Sequence, residues 1–182
     1  MDVSTLHSFL SEDSVSAHLG ELERLKLRYS ILEASEPRLV GVCFTDIPSL
    51  RIARDIKEEA YEKRREIELH ELYFSSFAKN NPRCERLPRQ FSSPAEMAYE
   101  LFCLAKDSRG VDFLVVYGEP STGRVGFSVS KELSRRQVPI LALDLCEHAY
   151  FCDYGFEREE YLRNASAHLD LSRVSEFIAS VR

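Results

Sequence analysis

The 182-residue chain contains no tryptophan, so no indole can line any of its pockets. No apolar run approaches the ~18 residues needed to span a bilayer, which excludes a membrane-spanning helix. The start, Met1-Asp2-Val3-Ser4-Thr5, lacks both the basic-then-apolar pattern of a secretory leader and the Arg-rich character of a transit peptide. A cytoplasmic location is therefore expected, or a mitochondrial one if a transit peptide was removed from a longer precursor. The five cysteines (Cys43, Cys84, Cys103, Cys146, Cys152) are odd in number and form no CxxC pair. That argues against a disulfide framework or a zinc knuckle and for reduced thiols. There is no excess of positive charge either. The formal net charge is −6, which argues against nonspecific nucleic-acid binding, whereas a small anion can still be drawn in by a local field.

What is present fits one compact domain or two lobes on one core, with 44% hydrophobic residues. Ser11-Glu12-Asp13-Ser14 reads as a capped helix start with acids in the first turn. From there Val15, His18, Leu19, Leu22, Leu25, Tyr29 and Leu32 fall on one face of a helix that Glu36-Pro37 ends. Leu39–Leu50 reads as a short connection. A second helix is expected from about Ser49 to Ala78, its apolar face including Ile52, Ile56, Ala60, Ile67, His70, Phe74 and Phe77. Two long helices so joined form an antiparallel hairpin. Pro82 and Pro88 flank the linker between an expected helical hairpin domain (1–81) and an α/β C-terminal domain (89–182). In the second, Ser93-Pro94-Ala95-Glu96 opens a helix to about Lys106. Phe113–Tyr117, Arg124–Ser130 and Val138–Leu143 read as three strands, and Glu157–Ala167 and Leu171–Val181 as helices. The expected fold is α+β, a helical hairpin followed by a three-stranded antiparallel sheet with helices.

The chemistry concentrates where the third strand ends, at Asp144-Leu145-Cys146-Glu147-His148. An Asp and a His four residues apart at that junction can turn a carboxylate oxygen and an imidazole nitrogen toward one point. An aspartate there also suits a helix cap, so the spacing alone leaves both readings open. His18 and His70, each on an apolar helix face, likewise suit ordinary core histidines.

Asp-Leu-Cys-Glu-His-Ala-Tyr-Phe-Cys-Asp-Tyr at 144–154, continuing to Arg158-Glu159-Glu160-Tyr161-Leu162, resembles the signature of iron/manganese superoxide dismutases. Leu69-His70-Glu71-Leu72-Tyr73-Phe74 resembles that family's Asn-His-x-x-Tyr/Phe-Trp stretch. Leu10 to Gly20 resembles its Ile-Ser-x-x-Thr-x-x-x-His-x-Gly. The resemblance implies one iron or manganese ion per chain, held by His18, His70, Asp144 and His148. Three imidazoles and a carboxylate suit a first-row metal with a further position open. It also implies a homodimer in which Glu147 reaches the partner's metal-bound histidine, with superoxide or another small anion as the partner; that no membrane is involved is expected from the lack of a long apolar run. His7 and His168 match no motif and are expected to have solvent or packing roles.

Around those ligands the family pattern is altered. Cys146 replaces a tryptophan, and Val111 and Phe113 stand where Gly-Trp-x-Trp is usual. Lys26 takes the place of a gateway tyrosine, Leu22 that of a gateway histidine, and Phe151 that of the tyrosine this histidine meets on the partner. Glu66 stands one turn before His70, where iron-type members keep a glutamine that donates to solvent at the metal, and Gln137 is out of register to substitute. Glu66 and Lys26 are thus candidate tuning and gateway residues. The leading expectation is an oxidoreductase, a divergent superoxide dismutase. Its competitors are a non-catalytic dismutase-like structural subunit, as in mitochondrial ribosomes (the one setting in which nucleic acid would be a partner), and altered redox chemistry supported by Glu66, Cys146 and Lys26.

Overall fold

The computed structural model describes residues 3–39, 47–78 and 84–181. A 3-10 turn (Leu6–Ser8) leads into α1 (Glu12–Leu39), which faces α2 (Ile47–Phe74). The Ser11 hydroxyl accepts the Ser14 N–H at 3.2 Å, and the Asp153 carboxylate takes the Ser11 N–H at 2.7 Å. The start of α1 is therefore capped from its own chain and from the far end of the protein. Arg28 meets Glu59 and Lys26 meets Glu71, so the two helices run antiparallel.

The hairpin departs from the sequence expectation at three points. Helix α1 runs past Pro37 to Leu39. Helix α2 stops at Phe74, not Ala78. Beyond Phe74 the backbone exchanges helix for pairing with the C-terminal part: Ala78 donates to the His168 carbonyl and Asp170 to the Ser76 carbonyl, and Phe77 bridges Leu169. Phe77 is buried by that pairing rather than by a helix face. Third, Ile52 is 58% exposed, because the early turns of α2 project beyond the core. The expected connection falls largely on residues 40–46, and Pro82 on 79–83, outside the described residues.

Helix α3 (Pro94–Asp107) begins as expected. The Ser93 side chain accepts the Glu96 N–H, and the Glu96 carboxylate accepts the Ser92 N–H, so two helix-end donors are satisfied by side chains. Strands β1 (Phe113–Glu119), β2 (Arg124–Ser128) and β3 (Val138–Asp144) form one antiparallel sheet in the order β2-β1-β3. Gly123 takes the positive φ of +68° that the β1–β2 turn requires. The register pairs Phe113 with Asp144, fixing Asp144 at the end of β3 beside the centre strand. A 3-10 turn (Glu147–Ala149), α4 (Phe151–Tyr154), α5 (Arg158–His168) and α6 (Ser172–Ser180) complete the chain. The fold is α+β.

One apolar core runs through both halves, from Leu22, Leu69 and Phe74 of the hairpin to Leu114, Leu143 and Leu162 beyond it. Among the described residues no helix is long and apolar enough to cross a membrane. Within this core lie His18, His70 and Asp144, at 0%, 3% and 0% exposure. Buried ionisable groups on that scale require partners.

Candidate metal centre

Four elements bring one side chain each to a point. His18 comes from α1, His70 from the end of α2, Asp144 from the last residue of β3 and His148 from the 3-10 turn after it. Their ligand atoms all lie within 4.8 Å of one another. Asp144 Oδ2 is 3.0 Å from His18 Nε2, 3.0 Å from His148 Nε2 and 3.4 Å from His70 Nε2. The Nε2 atoms of His70 and His148 are 3.2 Å apart. Four donors about 2.1 Å from a common centre sit roughly 3.0–3.6 Å from one another. The spacing observed fits an ion at their midpoint.

Two of the four donors, His70 and Asp144, are held from behind. The His70 Nδ1–H donates to the Glu66 carbonyl at 2.8 Å. A carbonyl only accepts, so Nδ1 carries a proton and, in the neutral ring, Nε2 is the lone pair that faces the cluster. The other oxygen of Asp144 accepts the Cys146 N–H at 2.8 Å, and the Tyr161 hydroxyl donates to the Asp144 carbonyl at 2.8 Å. The Tyr73 hydroxyl lies 3.3 Å from that of Tyr161. These two tyrosines are fully buried, and burial pushes both phenols well above their ordinary range. Burial also pushes the Asp144 carboxyl up, yet its bonds to His148 and His18 outweigh this and hold it well below the usual carboxylate range. Burial lowers His18, the bond to Asp144 working against it.

The arrangement therefore turns an ionised, fully buried carboxylate and the Nε2 of His70 toward one point. A carboxylate oxygen and a neutral imidazole nitrogen 3.4 Å apart can both ligate a cation between them.

The protein chain is matched over residues 82–177, more than half of its length, by the family model for the C-terminal domain of iron/manganese superoxide dismutases. The chain belongs to the iron/manganese superoxide dismutase family. No curated protein matches the chain. The matched segment contains Asp144 and His148, whereas His18 and His70 join the cluster through the geometry of the hairpin.

Around this superoxide dismutase-type cluster, the altered positions are placed as follows. The Glu66 carboxylate binds Lys63 at 2.7 Å and Lys131 at 3.0 Å, so it ties α2 to the β2–β3 connection. Burial pushes it up, and the two lysines bring it below its usual value, so it is ionised. It is the Glu66 backbone, not its side chain, that touches the cluster. Lys26 is half-exposed, 3.2 Å from Glu71, the residue after His70. Leu22 is buried and Phe151 is 48% exposed. The Cys146 thiol, raised first by burial and then by the charges of Asp144 and Asp112, stays protonated near Asp112. Phe113 stands edge-on to His70, with ring centres 5.1 Å apart.

The His148 side chain, at 30% exposure, is where the cluster opens outward. It borders a cleft of about 820 Å³ that Cys146, Glu147, Phe151 and Arg158 also line. Glu147 is exposed there. His168 has the packing role expected of it, stacked on Phe9 at 5.4 Å. The tyrosine pair behind Asp144 was missed by sequence reasoning. Tyr161 lies in the recognisable C-terminal motif and Tyr73 three residues after His70, but nothing in either spacing shows that the hydroxyls meet.

Proposed function

We propose that this protein is a divergent superoxide dismutase that holds one iron or manganese ion per chain on His18, His70, Asp144 and His148. The observation that carries the reading is the convergence of three imidazoles on the ionised, buried Asp144 carboxylate, their ligand atoms all within 4.8 Å of one another. When bound, such an ion supplies the one-electron couple by which one superoxide becomes dioxygen and a second, with two protons, becomes peroxide. The Glu66 carbonyl keeps the Nε2 of His70 free to donate. Asp144, pinned through Cys146 N–H and Tyr161 O–H, supplies the negative charge that favours the oxidised ion. Leu22, Phe113 and the other apolar neighbours exclude bulk water from three of the four donors, so the approach of a small anion is by way of His148.

A homodimer is part of the proposal. Glu147 is exposed beside the partly exposed His148, and Phe151 and Phe156, the latter 93% exposed, pack against each other on the same cleft. A second reading, a metal-holding protein without dismutase turnover, is supported by one observation. Lys26 and Glu66 are engaged in ion pairs, and Leu22 offers no proton.

Metal analysis of the protein as expressed, followed by a superoxide assay, tests both. Stoichiometric iron or manganese with dismutase activity, both lost in His148→Ala, is the expected result. Metal without activity favours the second reading, and no iron or manganese in any preparation defeats the site.

A further inference from the structure

Three imidazoles sit in α-helices, and two of them satisfy Nδ1 in the same way. His70 donates to the Glu66 carbonyl at 2.8 Å and His168 to the Asn164 carbonyl at 2.7 Å, each four residues back. His18 is the exception: it is fully buried, and its Nδ1 has no hydrogen-bond partner. Four residues back from it is Ser14, on the same face of α1. Ser14 is 1% exposed, and its hydroxyl is without a partner too. Two buried polar atoms one helical turn apart, each lacking what the other offers, call for a common explanation.

A hydroxyl differs from a carbonyl in that it can both donate and accept. The Glu66 carbonyl therefore locks His70 in one tautomer. His18 needs two. Its Nε2 lies 3.0 Å from Asp144 Oδ2, and when it donates to that oxygen the neutral ring leaves Nδ1 as the lone pair. As a ligand, His18 must present the Nε2 lone pair and carry its proton on Nδ1. We infer that Ser14 is the positioning residue that serves both states, its hydroxyl donating to Nδ1 in the metal-free protein and accepting the Nδ1 proton when His18 ligates. The proton leaves Nε2 and a proton returns to Nδ1, so the ring stays neutral throughout.

The Asp153 carboxylate, which accepts the Ser11 N–H at 2.7 Å, lies at the same end of α1. Burial pushes Asp153 up, and its bonding to Ser11 brings it below its ordinary value. This inference rests on the metal-centre reading given above.

Zinc(II) added to the chelator-stripped protein is the probe, since it is diamagnetic and redox-inert. In the wild-type protein, ¹⁵N NMR of the histidine side chains should show His18 protonated on Nε2 before zinc and on Nδ1 after it. Ser14→Ala should weaken zinc binding about 10–100-fold, and Ser14→Thr, which keeps the hydroxyl, should restore it to within a few-fold. If His18→Ala loses zinc while Ser14→Ala binds like wild type, the inference fails and the metal centre stands. A single His18 tautomer in both states also overturns it, with no variant needed. If wild type binds no zinc, or His18→Ala binds it unchanged, the metal-centre reading falls and takes this one with it.

Discussion

Tyr161→Phe tests how the carboxylate at the centre is supported. Tyr161 is fully buried, donates to the Asp144 carbonyl at 2.8 Å and lies 3.3 Å from the Tyr73 hydroxyl. The phenylalanine ring can keep the stack on Tyr150 (centroids 5.1 Å apart), so the change removes one oxygen and little packing. It takes a donor from the Asp144 carbonyl and leaves the Tyr73 hydroxyl stranded in the core. A buried polar group left unpaired costs about 1–3 kcal/mol. For a chain of this size each kcal/mol shifts the melting temperature by about 2–4 °C, so the variant should melt roughly 2–12 °C lower. Tyr73→Phe alone should cost less, and in the double variant the stranded hydroxyl is gone. The double variant should therefore be more stable than the sum of the two single losses implies, by at least ~0.5 kcal/mol. Urea unfolding of the four proteins, stripped of metal and followed by circular dichroism, measures this. Strict additivity, or a Tyr161→Phe variant as stable as wild type, would refute the account of a coupled hydroxyl pair holding Asp144.

Because the four donors come from α1, α2, β3 and the following turn, only the folded chain can present them together. Manganese(II) at a hundred times its dissociation constant should therefore stabilise the protein by about 2.7 kcal/mol, a rise reversed by a chelator and absent in His70→Ala. Stability of the metal-free protein should fall with acidification in two stages. Burial holds His18 below 6.5, so its contribution is complete above that pH and declines below it. Asp144 is held far below 3.8 by its histidine bonds, so its contribution is intact above 3.8 and lost as the pH drops toward its folded value. Urea midpoints across that range check both stages, and a flat profile from neutral to strongly acid pH would contradict them. Glu66→Gln should cost about 1 kcal/mol or less through the lost lysine pairs, yet leave metal content unchanged, since His70 is held by the Glu66 backbone. Loss of metal in this variant would place the carboxylate in the centre after all.

Much of this was legible in the sequence. The α+β order, α3 with its Ser-Pro start, all three strands and the assembly of His18, His70, Asp144 and His148 follow from periodicity, capping residues and the family resemblance. What escaped is what depends on distant partners. The length of α2 could not be read from its apolar face, because Phe77 continues the helical spacing while its backbone pairs with Leu169. Ile52 fits the same face but lies beyond the reach of the core. Glu66 could be placed one turn before His70, but its side chain is claimed by Lys131, 65 residues on. Helical position shows which face a group starts from. A long side chain chooses its partner from whatever the fold brings near.

The replacements around the centre have a common direction. Positions where the family keeps neutral hydrogen-bonding groups now carry Lys26, paired with Glu71 across the hairpin, and Glu66, paired with Lys131 across to the sheet. Both pairs anchor the turn of α2 that carries His70. Partly exposed pairs of this kind contribute at most about 1 kcal/mol each, too little to offset the burial of a carboxylate among three imidazoles. An empty cluster of that kind is commonly less stable than a well-packed apolar one of the same volume. A cation among the four donors would relieve that cost, as the proposed function requires. The altered ring bears on a different property, the protons and potential on which turnover depends. Holding an ion and turning it over are separate properties, and the two measurements that separate them are metal content and superoxide consumption.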